Sequence, residues 1–69
     1  MRLFVEDLKG YMDVYENVNK VSIKKIDNKN KLIINYDLQQ RIEFIDLKEV
    51  RLAFMIDKDT LIEYFRYEK

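Results

Sequence analysis

Arg2-Leu3-Phe4-Val5-Glu6-Asp7-Leu8-Lys9-Gly10-Tyr11-Met12-Asp13-Val14-Tyr15-Glu16-Asn17-Val18 opens the chain with apolar residues that fit a helical period. At about 100° per residue, Phe4, Leu8, Tyr11, Met12, Tyr15 and Val18 share one face, opposite Arg2, Glu6, Lys9, Asp13, Glu16 and Asn17. The spacing predicts an amphipathic helix over residues 1–19, with Gly10 on its polar side at a cost of about 1 kcal/mol relative to alanine. Leu3, Val5 and Val14 fall outside the stripe. They leave a second reading open, in which residues 2–5 form a short strand and a helix starts near Asp7 as N-cap.

From Lys20 the period changes to two. Turn-like clusters opening with Asp27, Asp37, Asp46 and Asp57 recur every nine to eleven residues and cut residues 20–69 into short β-rich pieces. Aspartate starts turns by accepting a hydrogen bond from the backbone two residues on, which matters in a chain with one glycine and no proline. Val21 and Ile23 share a face, and a bulge near Lys24 and Lys25 would bring Ile26 into phase. Asp27-Asn28-Lys29-Asn30 reads as a four-residue hairpin turn, and Asp37-Leu38-Gln39-Gln40 and Asp46-Leu47-Lys48-Glu49 as the next two. Between the turns, Leu32, Ile34 and Tyr36 alternate with Lys31, Ile33 and Asn35. Ile42 and Phe44 then oppose Arg41, Glu43 and Ile45, and Val50, Leu52, Phe54 and Ile56 oppose Arg51, Ala53 and Met55. Residues 61–67 have the make-up of a strand, although Thr60-Leu61-Ile62-Glu63 also fits a capping box; the strand is favoured because so short a helix is poor in isolation.

The expected fold is therefore α+β: one domain over residues 1–69, with an N-terminal amphipathic helix (1–19) packed on a four- to five-stranded antiparallel β-meander (20–69) that can curl into a small barrel. The order of helix then five short strands resembles that of the Sm-like and SH3-like small barrels. The resemblance covers most of the chain in element order, rests on no motif, and implies fold alone.

Composition narrows the chemistry. There is no histidine and no cysteine, and the only hydroxyls besides tyrosine are Ser22 and Thr60, so the usual nucleophile–base pairs and zinc ligands are missing. A single glycine cannot build a phosphate loop. Asp57, Asp59 and Glu63 read as a turn and cap, not a cation loop, and Glu6, Asp13 and Glu16 as a solvated helix face. The expectation is a non-enzyme with no cofactor and no metal.

At 69 residues, burial alone gives marginal stability, and 48% hydrophobic content is high for this size, which points to surface covered by a partner. Outward strand positions carry Ile33, Ile45, Ala53 and Met55, joined by Ile62 and Tyr64, either lining a barrel or forming an interface. The expected protein interface is Ile33, Ile45, Met55, Tyr64 and Tyr67. The leading functional expectation is a protein-interaction module, a homodimer that docks on a larger protein. Size, and frequent Lys, Ile, Asn and Asp beside a single alanine, Ala53, a bias that AT-rich codons produce, suggest a phage or mobile-element inhibitor that blocks a host protein such as a defence enzyme. The alternative is a nucleic-acid-binding β domain: Lys20, Lys24, Lys25, Lys29 and Lys31 face only Asp27 within residues 20–31, although the thirteen basic and thirteen acidic residues of the chain cancel overall. No apolar run approaches the roughly 20 residues that cross a bilayer, and the N-terminus lacks a signal-peptide pattern, so a cytoplasmic protein without membrane contact is expected.

Overall fold

The computed structural model describes residues 1–38 and 41–68, and they form two antiparallel sheets with no α-helix. The strands are β1 (Arg2–Asp7), β2 (Met12–Tyr15), β3 (Val18–Ile26), β4 (Lys29–Tyr36), β5 (Ile42–Asp46), β6 (Val50–Asp57) and β7 (Thr60–Arg66), with a single 3-10 turn at Leu47–Glu49. The first sheet has the order β2-β1-β6-β7 and the second β3-β4-β5.

The expected α+β class is thus corrected to all-β, and the single meander expected over residues 20–69 is corrected to strands divided between two sheets, since β6 pairs with β1 and β7 and not with β5. The reason lies in residues 1–19. Asp7 does cap a local structure, but it is a turn: its Oδ1 accepts from the backbone N–H groups of Lys9 (2.9 Å) and Tyr11 (3.0 Å). Gly10 sits in that turn at φ +95°, a conformation a helix interior does not allow. The hairpin it creates puts β1 between β2 and β6, so both edges of β1 are hydrogen-bonded and β6 gains a second partner. Leu3 and Val5, the residues the helical wheel left over, are 0% and 5% exposed and lie in the core. With the helix goes the helix-first element order on which the likeness to Sm-like barrels rested.

Backbone turns do the work that glycine does elsewhere. Asn17, at φ +58°, marks the corner where the chain leaves the first sheet for the second, tied by Val18 N–H to the Met1 carbonyl (2.9 Å) and by Asp37 N–H to the Asn17 carbonyl (2.8 Å). The β3–β4 turn is tighter than expected: Ile26 pairs with Lys29, leaving only Asp27 and Asn28, both with positive φ as a two-residue hairpin requires. Lys58, at φ +57°, serves in the same way between β6 and β7. Asp46 accepts from Lys48 N–H (3.1 Å) and caps the 3-10 turn. Gln39 and Gln40, the second half of the expected turn at Asp37, lie outside the described residues. The expected bulge at Lys24 and Lys25 is absent; the register shift falls between Val18 and Lys20, and Lys25 simply projects where the hairpin has run past the core.

The core lies between the sheets and contains Leu3, Val18, Leu32, Ile34, Val50 and Met55 as its largest fully buried side chains. No aromatic ring is fully inside. Tyr15, Tyr36, Tyr64 and Phe65 pack at its rim, because a two-sheet core this small is filled by aliphatic side chains. That selection settles which row of each strand points inward. Ala53 and Met55, both 0% exposed, face the core, whereas Leu52, Phe54 and Ile56 face out, the reverse of the expected assignment for β6.

Candidate functional site

Among the described residues no group of three or more Asp, Glu, His or Cys side chains could hold a metal ion. What the fold offers is two outward sheet faces, each built by the same alternation that fills the core.

On the first sheet, Phe4 lies between Val14 and Phe54, and the two phenyl rings stack at 5.0 Å with planes within 9°. Above and below this row the register sets Arg2 beside Ile56 and Glu6 between Met12 and Leu52. Leu61 extends the face at 61% exposure, while Val14 and Met12 are each nearly half exposed. Two ion pairs lie at its edges, Arg2–Glu16 (2.7 Å) and Arg66–Glu63 (2.6 Å), and Glu6 forms none among the described residues. Glu63 raises the Arg66 guanidinium pKa further above its already high ordinary value. Among the described residues no element covers this face.

On the second sheet, the pairs Lys24–Lys31, Ile26–Lys29, Lys20–Asn35 and Ser22–Ile33 share the outward side, and β5 adds Ile42, Phe44 and Asp46 to it. Four of the five hairpin lysines are therefore brought to one face, and Lys25 is not. Asp46 is the one carboxylate that the register places there among the described residues; its Oδ2 lies 3.6 Å from the Lys31 ammonium. The Lys48 backbone N–H, then Lys31 and Lys48, hold its carboxyl below the usual 3.8. Phe44 stands at 55% exposure next to Ile33.

At the rim between the sheets, the Tyr36 hydroxyl donates to Glu43 Oε1 (3.0 Å), which also accepts from Arg41 (2.8 Å), and the Arg41 guanidinium lies 5.1 Å from the Tyr36 ring centroid. Burial raises the phenol pKa of both Tyr15 and Tyr36 above 10.0, helped for Tyr15 by Asp13 and Glu43.

The five residues expected at a protein interface do not converge. Met55 is in the core at 0% exposure, Ile45 and Tyr64 pack against it from its rim, and Ile33 faces outward on the second sheet but is 7% exposed. Tyr67, past the end of β7, is 48% exposed. The residues that make the two faces, above all Phe4, Phe54 and Phe44, were assigned to the core side of their elements by periodicity. Their signal was present in the sequence as strands with two apolar rows, one more than a core needs.

No family model, no curated protein and no solved structure matches the chain. Among the described residues no helix is long and apolar enough to cross a membrane.

Proposed function

We propose that the protein is a non-catalytic interaction module that docks through the outward face of its first sheet, and that a second copy of the chain is its partner there. The observation that supports the reading is the Phe4–Phe54 stack in the centre of an uncovered apolar face. Aromatic anchors surrounded by aliphatic side chains are the usual energetic centre of an interface.

The face is self-complementary. A two-fold axis running across the strands through the Phe4–Phe54 row lays each strand antiparallel on its copy. It opposes Ile56 to the partner's Leu52 and Arg2 to the partner's Glu6. Two sheets stack about 10 Å apart, a gap that facing Arg and Glu side chains can close. Four strands make a face roughly 15–20 Å wide, a small interface, so dissociation in the micromolar range is expected. An inhibitor that blocks a host protein would use the same anchors in place of the second copy.

Sedimentation equilibrium tests the reading. Arg2→Glu and Glu6→Arg should each weaken the dimer about tenfold or more, and the double swap should restore it, while circular dichroism stays native. A wild-type protein that remains monomeric at about 100 µM, far above the expected micromolar range, or a double swap no better than the single variants, removes the proposal.

A further inference from the structure

We infer that the outward face of the second sheet is a binding site for single-stranded nucleic acid, with Phe44 as a stacking platform and Lys20, Lys24, Lys29 and Lys31 as phosphate contacts. The inference is independent of the dimer, since the two faces lie on opposite sides of the core.

Three observations carry it. The first is charge: the register sets four lysines against a single carboxylate, Asp46, on a face of a molecule that has no net charge. A local excess of this kind, unopposed by a neighbouring acidic row, complements a polyanion. Protein interfaces, by contrast, are depleted in lysine, which argues against an ordinary protein partner on this side. The second is the ring. Phe44 comes from β5, outside the basic hairpin in sequence, yet pairing of β5 with β4 places it beside the lysine rows. At 55% exposure it presents enough surface for a base to stack, and stacking on an exposed ring is available only to unpaired bases. The third is the polar lining: Ser22 and Asn35, on the same face, supply donors and acceptors without adding negative charge. Lys20 and Lys24 are separated by about 13 Å along β3, and the three strands span about 10 Å, so the face fits a short stretch of one strand and not a wrapped duplex.

Because the lysines lack the bidentate geometry of arginine and there is one aromatic platform, the expected recognition is of backbone and stacked base with little sequence preference. Lys31, held near Asp46, contributes least. Three free lysines predict a slope of about −2 for log affinity against log salt.

The test is fluorescence anisotropy with a labelled oligothymidylate of about 12 nucleotides. Affinity should fall roughly 20-fold between 50 and 200 mM salt. Lys20→Gln and Lys24→Gln should each reduce the slope by about 0.7. Phe44→Ala should weaken binding roughly 5- to 100-fold and leave the slope unchanged, a separation that a purely electrostatic site would not show. The partly exposed ring makes this variant safe for the fold, and a native thermal melt checks it. Lys25→Gln, on the other side of the hairpin, should have little effect. Binding that is absent at about 100 µM protein in low salt, where electrostatic affinity is greatest, overturns the inference. So does binding indifferent to Phe44→Ala, or a poly-glutamate peptide bound as tightly as the oligonucleotide.

Discussion

Phe4 and Phe54 stack face to face across the β1–β6 pair, ring centroids 5.0 Å apart, on the outward side of a sheet whose inward side is already filled by Leu3, Val5, Ala53 and Met55. The stack is a cross-strand pair, so it fixes register between two strands far apart in sequence. A double-mutant cycle of Phe4→Leu and Phe54→Leu, read by urea denaturation at a protein concentration below dimerisation, should give a coupling of about 0.5–1.5 kcal/mol. Additive single effects would mean that the rings contribute burial and no specific pairing.

Met55 and Phe44 make the contrast between inside and outside quantitative. Met55 is 0% exposed, so Met55→Ala should cost about 2–5 kcal/mol, and Met55→Lys should abolish the native state. Phe44→Ala, at an outward position, should stay within about 0.5 kcal/mol of the parent. Guanidinium melts of the three variants check the ranking. A folded Met55→Lys protein would place β6 in the opposite orientation.

Gly10 carries the first hairpin. A Cβ added there meets nothing within 4 Å, so Gly10→Ala introduces no clash and its cost is that of φ +95° alone, about 1 kcal/mol or more. The chemical-denaturation midpoint should fall accordingly with an unchanged m-value. Asp7→Ala should lower it as well, by removing the acceptor for the Lys9 and Tyr11 N–H groups.

The turns of residues 20–69 and the inward row of β4 were legible because turn chemistry and period agreed there: Asp27, Asp46 and Asp57 stand at or next to chain reversals, and Leu32 and Ile34 are both core residues and the expected inward row. The single meander was not, because β6 pairs with β1 and β7 and not with β5. Residues 1–19 were misread because Phe4, Leu8, Tyr11 and Tyr15 satisfy a helical period by coincidence. The two features that exclude the helix, Gly10 and the Asp7 turn, are weak in sequence and decisive only once β6 is available as a partner. The faces of β5 and β6 were ambiguous for a different reason. When both rows of a strand are apolar, alternation says that faces exist but not which one the core takes, and here the thin core takes Ala53 and Met55 and excludes Phe54. The same ambiguity hid Phe44 from the lysines. The pairing of β4 with β5 follows from the turn expected after Asp37, but with the wrong row of β5 turned to the core, Phe44 was placed on the side away from the lysines.

Asp46 on the acid side and the rim tyrosines on the alkaline side each give the fold a pH-dependent contribution to stability. Asp46 has its carboxyl lowered, first by the Lys48 backbone N–H and then by Lys31 and Lys48, so the charged form is favoured in the folded state. Its contribution is complete above the ordinary 3.8 and is lost as pH falls through the lower folded value. Asp46→Asn keeps an oxygen acceptor for the cap but cannot titrate, so its stability should depend less on pH below 4 than the parent's. Tyr15 and Tyr36 have the opposite sign. Burial raises both phenols above 10.0, the folded state holds their protons longer than the unfolded chain does, and stability present below that value drains away as pH rises through the folded pKa. In the Tyr15→Phe, Tyr36→Phe double variant the alkaline limb should flatten, although stability at neutral pH falls with loss of the Tyr36–Glu43 hydrogen bond. Urea midpoints measured from pH 2 to 11.5, in steps of about half a unit against the reference titration ranges, resolve the two limbs. A double variant that still loses stability above pH 10 as steeply as the parent would show that the two phenols do not set the alkaline limb.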